Sequence, residues 1–354
     1  MPPHEGATPT ISILIPTKGG GDLLYVFQTI STQELIDGDE VLIIGDGPQP
    51  QIAEQVNALG APFRYTHTDR PTGDYGHSQL NYGLELARGD YVMGTDDDDG
   101  YLPRAIDCVR TALSENPGKP HLFKFWSNDR YLVWSEQRGR KIEETYVGGH
   151  NLVIPNVSGK KGRFPARYRG DFDWIRSVLS NYPEVDWVWR NEILTRQRPG
   201  AKVIGWPVWK RGTDSPERLE ALRRIRNECR MDMTHSQEEI SEEQQAAWFQ
   251  NLDRENNWAW VFTLKGENPS EYVGYAYLKR REGKMYPAYG LAQSFRGKGL
   301  AKHVVQYALD ACQQDADGDF WETNEAIAHV DFTLGWREVE RKDGLVIVHY
   351  PWPR

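Results

Sequence analysis

At 354 residues, with 39% hydrophobic and 26% charged side chains, the chain has apolar material for two ordinary cores and lacks the bias of a disordered or fibrous protein. A formal net charge of -9 excludes a global attraction to nucleic acid or anionic membranes and leaves only local patches to make one. Cys108, Cys229 and Cys312 are too scattered for a metal-ligand spacing or a disulfide framework, which suits a reducing, cytoplasmic compartment. No run approaches the roughly 20 apolar residues of a membrane span, and residues 1–7 lack the basic-then-apolar plan of a signal peptide.

Thr10-Ile-Ser-Ile-Leu-Ile-Pro16 is a β-branched apolar run closed by proline, the pattern of a strand buried on both faces. Gly19-Gly-Gly21 leads into a helix with Leu23, Leu24, Phe27 and Ile30 on one side. Residues 41–46 repeat the strand, 52–59 read as helix, 62–67 as strand, and 76–88 as a helix carrying Leu80, Leu84 and Ala87. A last strand ends at Thr95, directly before Asp96, Asp97, Asp98 and Asp99. Strands alternating with helices predict a mostly parallel sheet covered on both faces. Ligands of such sheets lie beyond the carboxyl ends of the strands, where Thr17, Asp46 and the acidic run all fall.

From 120 to 198 the pattern is less regular, with an aromatic strand at Phe123-Lys-Phe-Trp126 and a helix over 173–181. Alternation in Val185-Asp-Trp-Val-Trp189 predicts a core strand, and stacking of a sugar ring by Trp174, Trp187 and Trp189 is the competing reading. Residues 160–169, Lys-Lys-Gly-Arg-Phe-Pro-Ala-Arg-Tyr-Arg, form a basic loop with interleaved aromatics. A solvated loop is the default; grips on a donor diphosphate or a nucleic-acid backbone are the alternatives. Pro199-Gly200, Pro207 and Gly212 punctuate the next stretch, placing domains at 1–212 and 213–354. Beyond it come helices over 215–230 and 241–252, the second opened by a Ser241/Gln244 capping box. Strands over 258–264, 272–279 and 284–292, helices over 297–312 and 326–334, and two final strands complete the chain.

Four consecutive carboxylates after a buried strand repel one another unless a cation or solvent relieves them. Asp96 and Asp98 form an Asp-x-Asp pair able to reach a divalent cation, which would neutralise a diphosphate leaving group. In order and spacing, Ile11-Ser-Ile-Leu-Ile-Pro-Thr17, Val41-Leu-Ile-Ile-Gly-Asp-Gly47 and the segment from Ala87 to Asp99 resemble the signatures of family 2 inverting glycosyltransferases of the GT-A fold, over roughly residues 8–200. The resemblance implies that Pro16, Thr17 and Asp46 contact the donor nucleotide. It also implies that Asp96 and Asp98 hold the nucleotide and a manganese or magnesium ion, with Asp97 and Asp99 supporting or facing solvent. It further implies a catalytic base at a helix start, here in Gly170-Asp-Phe-Asp-Trp174, where Asp171 is preferred over Asp173 and a helix N-cap is the bland reading of either. His150, in a glycine-rich loop, is a candidate to meet the metal or acceptor, although a lone histidine is more often structural.

A second constellation runs from a strand through a glycine loop into a helix at Tyr286 to Ala301. Successive amides at such a helix start make an anion site. Arg296-x-x-Gly299-x-Ala301, with Asn324-Glu-Ala-Ile-Ala-His-Val-Asp-Phe-Thr-Leu-Gly-Trp336 and the helical segments near 225–231 and 240–249, resembles GNAT N-acetyltransferases, particularly those acting on amino sugars, over roughly 215–350. The resemblance implies that backbone amides of Arg296, Gly297, Lys298, Gly299, Leu300 and Ala301 hold the acetyl-CoA pyrophosphate, that Leu291 contacts the pantetheine or thioester, and that Asn324 meets the cofactor from the other side. The family's thiolate-protonating tyrosine maps onto Phe332, so Tyr289, His329 and Asp331 stand as candidates for the acid.

The expected architecture is therefore α/β with two domains, a GT-A, Rossmann-like nucleotide-sugar-binding domain followed by a GNAT domain built on a mixed sheet flanked by helices. The expected function is a bifunctional transferase. It would use a nucleotide sugar with a divalent metal, and acetyl-CoA as cosubstrate, on a glycan or small-molecule acceptor, without membrane association. Glycosylation or acylation of a hydroxylated base in DNA, as in phage hypermodification within a host cytoplasm, is one alternative. A nucleotidyltransferase and a degenerate ligand-binding module are the others.

Overall fold

The computed structural model describes residues 8–128, 131–134, 139–144, 146–197, 199–210, 213–266 and 271–352. The chain divides into two compact units, one ending at Gly200 and one starting at Ala201. Residues 1–7 and Gly212, on which two of the sequence expectations rest, lie outside the described residues.

The first unit contains β1 (Ile11–Thr17), α1 (Leu23–Ser31), β2 (Glu40–Gly45), α2 (Pro50–Leu59), β3 (Phe63–His67), α3 (His77–Leu86), β4 (Tyr91–Gly94), β5 (Gly100–Tyr101), α4 (Ala105–Glu115), β6 (His121–Ser127), β7 (Tyr131–Val133), β8 (Leu152–Pro155), α5 (Gly170–Leu179) and β9 (Val188–Arg196). Its sheet runs β3-β2-β1-β4-β8-β6-β9-β5, with β7 on β6. Side chains alternate across a strand, so a run apolar at every position fills both faces. Ile11, Ile13, Ile15, Val41 and Ile43 enter one core with α1, α2 and α4, while Leu14, Leu42 and Ile44 enter the other with α5 and Leu84 of α3. β3, β2, β1 and β4 are parallel as expected. Past β4 the sheet turns mixed, because β8 pairs antiparallel with both β4 and β6.

Trp174, Trp187 and Trp189 pack into or against the second core, as the core reading expected. The alternating run does not begin as a strand: a 3-10 turn occupies Glu184–Asp186 and leaves Val185 85% exposed. All three cysteines are free thiols. Among the described residues no helix is long and apolar enough to cross a membrane.

The second unit contains β10 (Val203–Pro207), β11 (Trp209–Lys210), β12 (Thr213–Asp214), α6 (Pro216–Glu228), α7 (Glu242–Gln250), β13 (Asn257–Leu264), β14 (Gly274–Arg281), β15 (Lys284–Leu291), α8 (Ala301–Cys312), β16 (Ala316–Trp321), α9 (Glu325–Leu334), β17 (Arg337–Lys342) and β18 (Leu345–Tyr350). Its sheet order is β10-β13-β14-β15-β16-β18-β17. β10 pairs antiparallel with β13 from Val203 against Leu264 to Pro207 against Trp260. Strand pairing thus draws residues that sequence punctuation placed in 1–212 into the second sheet. The Ser241/Gln244 capping box forms as expected. α8 starts at Ala301 rather than 297, because Gly297 and Gly299 sit at φ 74° and 70°, outside helical space.

β15 and β16 run parallel, and their registered pairing is confined to Met285 against Ala316. From there to Leu291 the edge of β15 leaves its neighbour, opening the sheet on the side of the glycine loop.

Candidate functional sites

In the first unit β1 and β4 end side by side and deliver the acidic run. Thr95 N donates to Leu14 O at 3.1 Å and Asp46 N to Thr17 O at 2.8 Å, so three strand ends are stitched into one rim. The Thr17 hydroxyl, on a 2% exposed residue, donates to Asp97 Oδ2 at 2.6 Å. Burial raises the Asp97 pKa, the Thr17 bond opposes this, and Asp98 and Asp96 add to the rise. The loop after β1 closes over Asp97 only because residue 21 is glycine: a Cβ there would collide with the Asp97 carboxylate and carbonyl. Pro16 is likewise buried, beneath Gly76. Asp46 accepts from Thr72 N at 2.6 Å, Thr72 Oγ1 at 2.9 Å and Gly73 N at 3.1 Å, and so holds the loop before α3 at this rim.

Asp99 and His150 converge with Asp96. Asp99 is 1% exposed, so of the two expectations for it the solvent-facing one does not hold. His150 Nε2 lies 3.2 Å from Asp99 Oδ2 and 3.6 Å from Asp96 Oδ2. Ligand atoms of the three residues fall within 4.8 Å of one another, and Asp98 is not part of that group. A 3-10 turn at Gly149–Asn151 presents the imidazole. The Asn151 carboxamide fixes that turn by accepting from Gly148 N at 2.6 Å and donating to Phe123 O. Gln197 Nε2 lies 3.1 Å from His150 Nε2, and the Phe125 ring covers the imidazole at 5.2 Å. Burial alone would depress the His150 pKa, but Asp99, then Asp96 and Asp171, push it up to about 9.

The two aspartates at the start of α5 separate. Asp171 Oδ2 accepts from Gly149 N at 3.2 Å and acts electrostatically on His150. Asp173 instead accepts from Arg167 Nε at 2.6 Å and forms an ion pair with it. Neither is the N-cap, a position held by Arg169 in the left-handed region without a side-chain cap. Much of the basic loop is engaged internally. Lys161 donates to Leu84 O, Arg169 pairs with Glu144 at 3.3 Å, and Lys160 lies over the Tyr182 ring at 5.0 Å.

In the second unit the glycine loop lies between β15 and α8. The N-cap of the 12-residue helix α8 is Leu300, which has no capping side chain, and His303 N donates to Leu300 O at 3.0 Å. A Cβ at Gly297 or Gly299 would meet nothing within 4 Å. The Arg296 side chain turns elsewhere: it donates to Leu291 O at 3.2 Å and Glu228 O at 3.3 Å, and pairs with Asp232 at 3.1 Å. Only its backbone remains suited to the role the resemblance gave it. Asn324 caps α9, accepting from Ile327 N at 3.2 Å. Phe332 is 43% exposed, with its edge to Phe320, while its neighbour Asp331 is 4% exposed and faces Tyr289. His329 is exposed.

Residues 12–118 match glycosyl transferase family 2, and residues 214–335 match the acetyltransferase (GNAT) domain. The first half is glycosyltransferase-like and the second half GNAT-like. An uncharacterized glycosyltransferase of Rickettsia typhi is 24% identical over 211 residues, covering 54% of this chain and 64% of that one. Another from Rickettsia prowazekii is 23% identical over 189 residues, covering 48% and 58%. The chain thus spans less than two thirds of the length of these curated relatives. Among solved structures, residues 1–349 of TarS from S. aureus align with a TM-score of 0.47 at 14% identity, covering 53% of this chain and 60% of that one. An N-acetyltransferase from Staphylococcus aureus Mu50 aligns at 0.34 and 17% identity, covering 43% and 99%. Matches to two transferase families in one chain are consistent with a bifunctional transferase.

Proposed function

We propose that the first unit transfers a sugar from a nucleotide-sugar donor to a hydroxyl acceptor with inversion, and that the second transfers an acetyl group from acetyl-CoA to an amine. Economy of fusion supports a further step, that the two reactions share one glycan. The observation that carries the first half is the meeting of Asp96, Asp99, His150 and Asp171 at the carboxyl ends of β1, β2 and β4.

The donor set fits a divalent cation of the manganese or magnesium class, since two carboxylates and an imidazole offer ligand atoms within 4.8 Å. Asp96 and Asp99 would hold it, with His150 joining on release of its proton and Asp98 near at hand in the run. Such an ion supplies charge neutralisation for a departing diphosphate. Asp171 would take the proton of the acceptor hydroxyl as its oxygen attacks the anomeric carbon, and one such displacement inverts configuration. Asp46 and the loop it holds would border the nucleotide.

The opened edge of β15 and the uncapped amides ahead of α8 carry the second half. The strand edge offers backbone groups to a pantetheine arm, and the helix start offers amides to the pyrophosphate.

A screen of nucleotide sugars with manganese, read as nucleoside diphosphate release, tests the first unit; release of pyrophosphate instead would establish the nucleotidyltransferase alternative. Acetyl-CoA at about 100 times its Kd is expected to stabilise the second unit by about 2.7 kcal/mol, seen as a raised melting transition. An unmoved transition at millimolar acetyl-CoA would remove the second assignment.

A further inference from the structure

The Tyr289 hydroxyl donates a 2.6 Å hydrogen bond to Asp331 Oδ1 and so joins β15 to α9 across 42 positions of sequence. Tyr289 stands two residues before Leu291 on the same strand, so both side chains point to one face. It also lies in the stretch of β15 that has parted from β16. The hydroxyl is therefore delivered at the opening where a thioester carried past Leu291 would pass. Phe332 faces outward and has no proton to give. A carboxyl group this deeply buried against one neutral hydroxyl is a poor structural device, because its charged form is heavily penalised. Such groups concentrate where a proton must be moved.

We propose that Tyr289 and Asp331 form the proton relay of acetyl transfer, with the Tyr289 hydroxyl as the catalytic acid and Asp331 as its proton reservoir. This rests on the reading of the second unit as an acetyl-CoA transferase. The acceptor nitrogen uses its lone pair to form the N–C bond to the thioester carbon, and the C–S bond breaks with its electron pair going to sulfur. The Tyr289 proton passes to that sulfur, giving the free thiol. The hydrogen bond then reverses, and the protonated Asp331 carboxyl returns a proton to the phenolate oxygen. The proton shed by the new amide nitrogen reaches the Asp331 carboxylate through solvent and resets the pair. One amine and one thioester thus give one amide and one thiol, with no other reactant.

Burial lifts the Asp331 pKa to about 7 and the Tyr289 bond works against the rise; these are the two influences on the carboxyl. Burial and Asp331 together raise the Tyr289 pKa. The test is CoA-thiol release from acetyl-CoA by the full chain, with water and with glucosamine as nucleophiles, over a wide pH range. Release by the native chain is expected to fall as pH rises through about 7. Asp331→Asn and Tyr289→Phe are each expected to lower release about 100-fold below that pH and to abolish the limb, and the double variant to be no worse than either single one. Acetyl-CoA should still raise the melting transition of all three. A purely structural bond predicts native turnover and an unchanged limb for Asp331→Asn, whose amide oxygen accepts the same hydrogen bond; that result overturns the relay. Absence of thiol release by the native chain at every pH, with the melting shift intact, overturns it as well. Failure of the shift in the native chain would instead bring down the acetyl-CoA reading beneath it.

Discussion

Asp171→Asn is expected to lower sugar transfer by about 100- to 10,000-fold, the range lost when a positioned general base is removed, while nucleotide-sugar binding persists. Asp171 lies in the first turn of α5, and its Oδ2 accepts from the Gly149 amide of the turn that presents His150. An asparagine oxygen can accept that same bond, so the loop that aims the site should stay in place. What disappears is the capacity to take a proton. Asp173→Asn is the built-in control, two residues on and in the same turn. It removes an ion pair with Arg167 whose partners are 58% and 29% exposed, and exposed pairs are worth about 0–1 kcal/mol. Its transfer rate should stay within about threefold of the native chain. Donor hydrolysis and transfer are both read as nucleoside diphosphate release, using whichever donor the screen selects. A reversed pattern, with Asp173→Asn dead and Asp171→Asn active, would shift the base by two positions and overturn the assignment of Asp171.

The parallel half of the first sheet was legible because it rests on local signals. Every residue of β1 is buried, and the alternation of Ile11, Ile13 and Ile15 with Leu14 requires cover on both faces. Asp96 to Asp99 announced a charged strand end in the same way. The grouping within that run was not legible. Asp96 and Asp98 share a side by spacing along an extended chain, but the turn after β4 breaks that periodicity and brings Asp99 beneath Asp96 toward His150. His150 itself carried only the faint signal of its glycine-rich loop. Its importance comes from β6 and β8, whose pairing places the 3-10 turn against the acidic strand end. β10 was hidden for a related reason: its partner β13 lies far downstream, and proline and glycine around it read as linker. In the second unit the motif located the glycine loop, yet it could not show that the Arg296 side chain is occupied with Asp232 and Glu228. Tyr289 and Asp331 were visible only as separate candidates, since the contact that couples them joins a strand to a helix 42 positions away.

That coupling has a thermodynamic consequence distinct from turnover. Asp331→Asn is expected to stabilise the second unit at pH 8 and to destabilise it at pH 4. The Asp331 pKa stands at about 7 in the folded chain, above its unfolded value of 3.8. Between those values the folded state holds a proton that the unfolded state has lost, so stability declines as pH rises through the window and is lowest above it. At 1.36 kcal/mol per unit, the penalty above pH 7 is about 4 kcal/mol at most. Asparagine carries no such penalty at any pH. It does bury an amide NH2 in place of a carboxyl oxygen, and an unmet donor there would cost about 1–3 kcal/mol. The balance favours the variant by about 1–3 kcal/mol at high pH and disfavours it by a similar amount at low pH, with a crossing between. Denaturant unfolding of the full chain, following the transition that acetyl-CoA displaces, measures both ends. A difference of one sign and constant size from pH 4 to pH 8 would mean that Asp331 does not titrate in this range, and the relay would lose its reservoir.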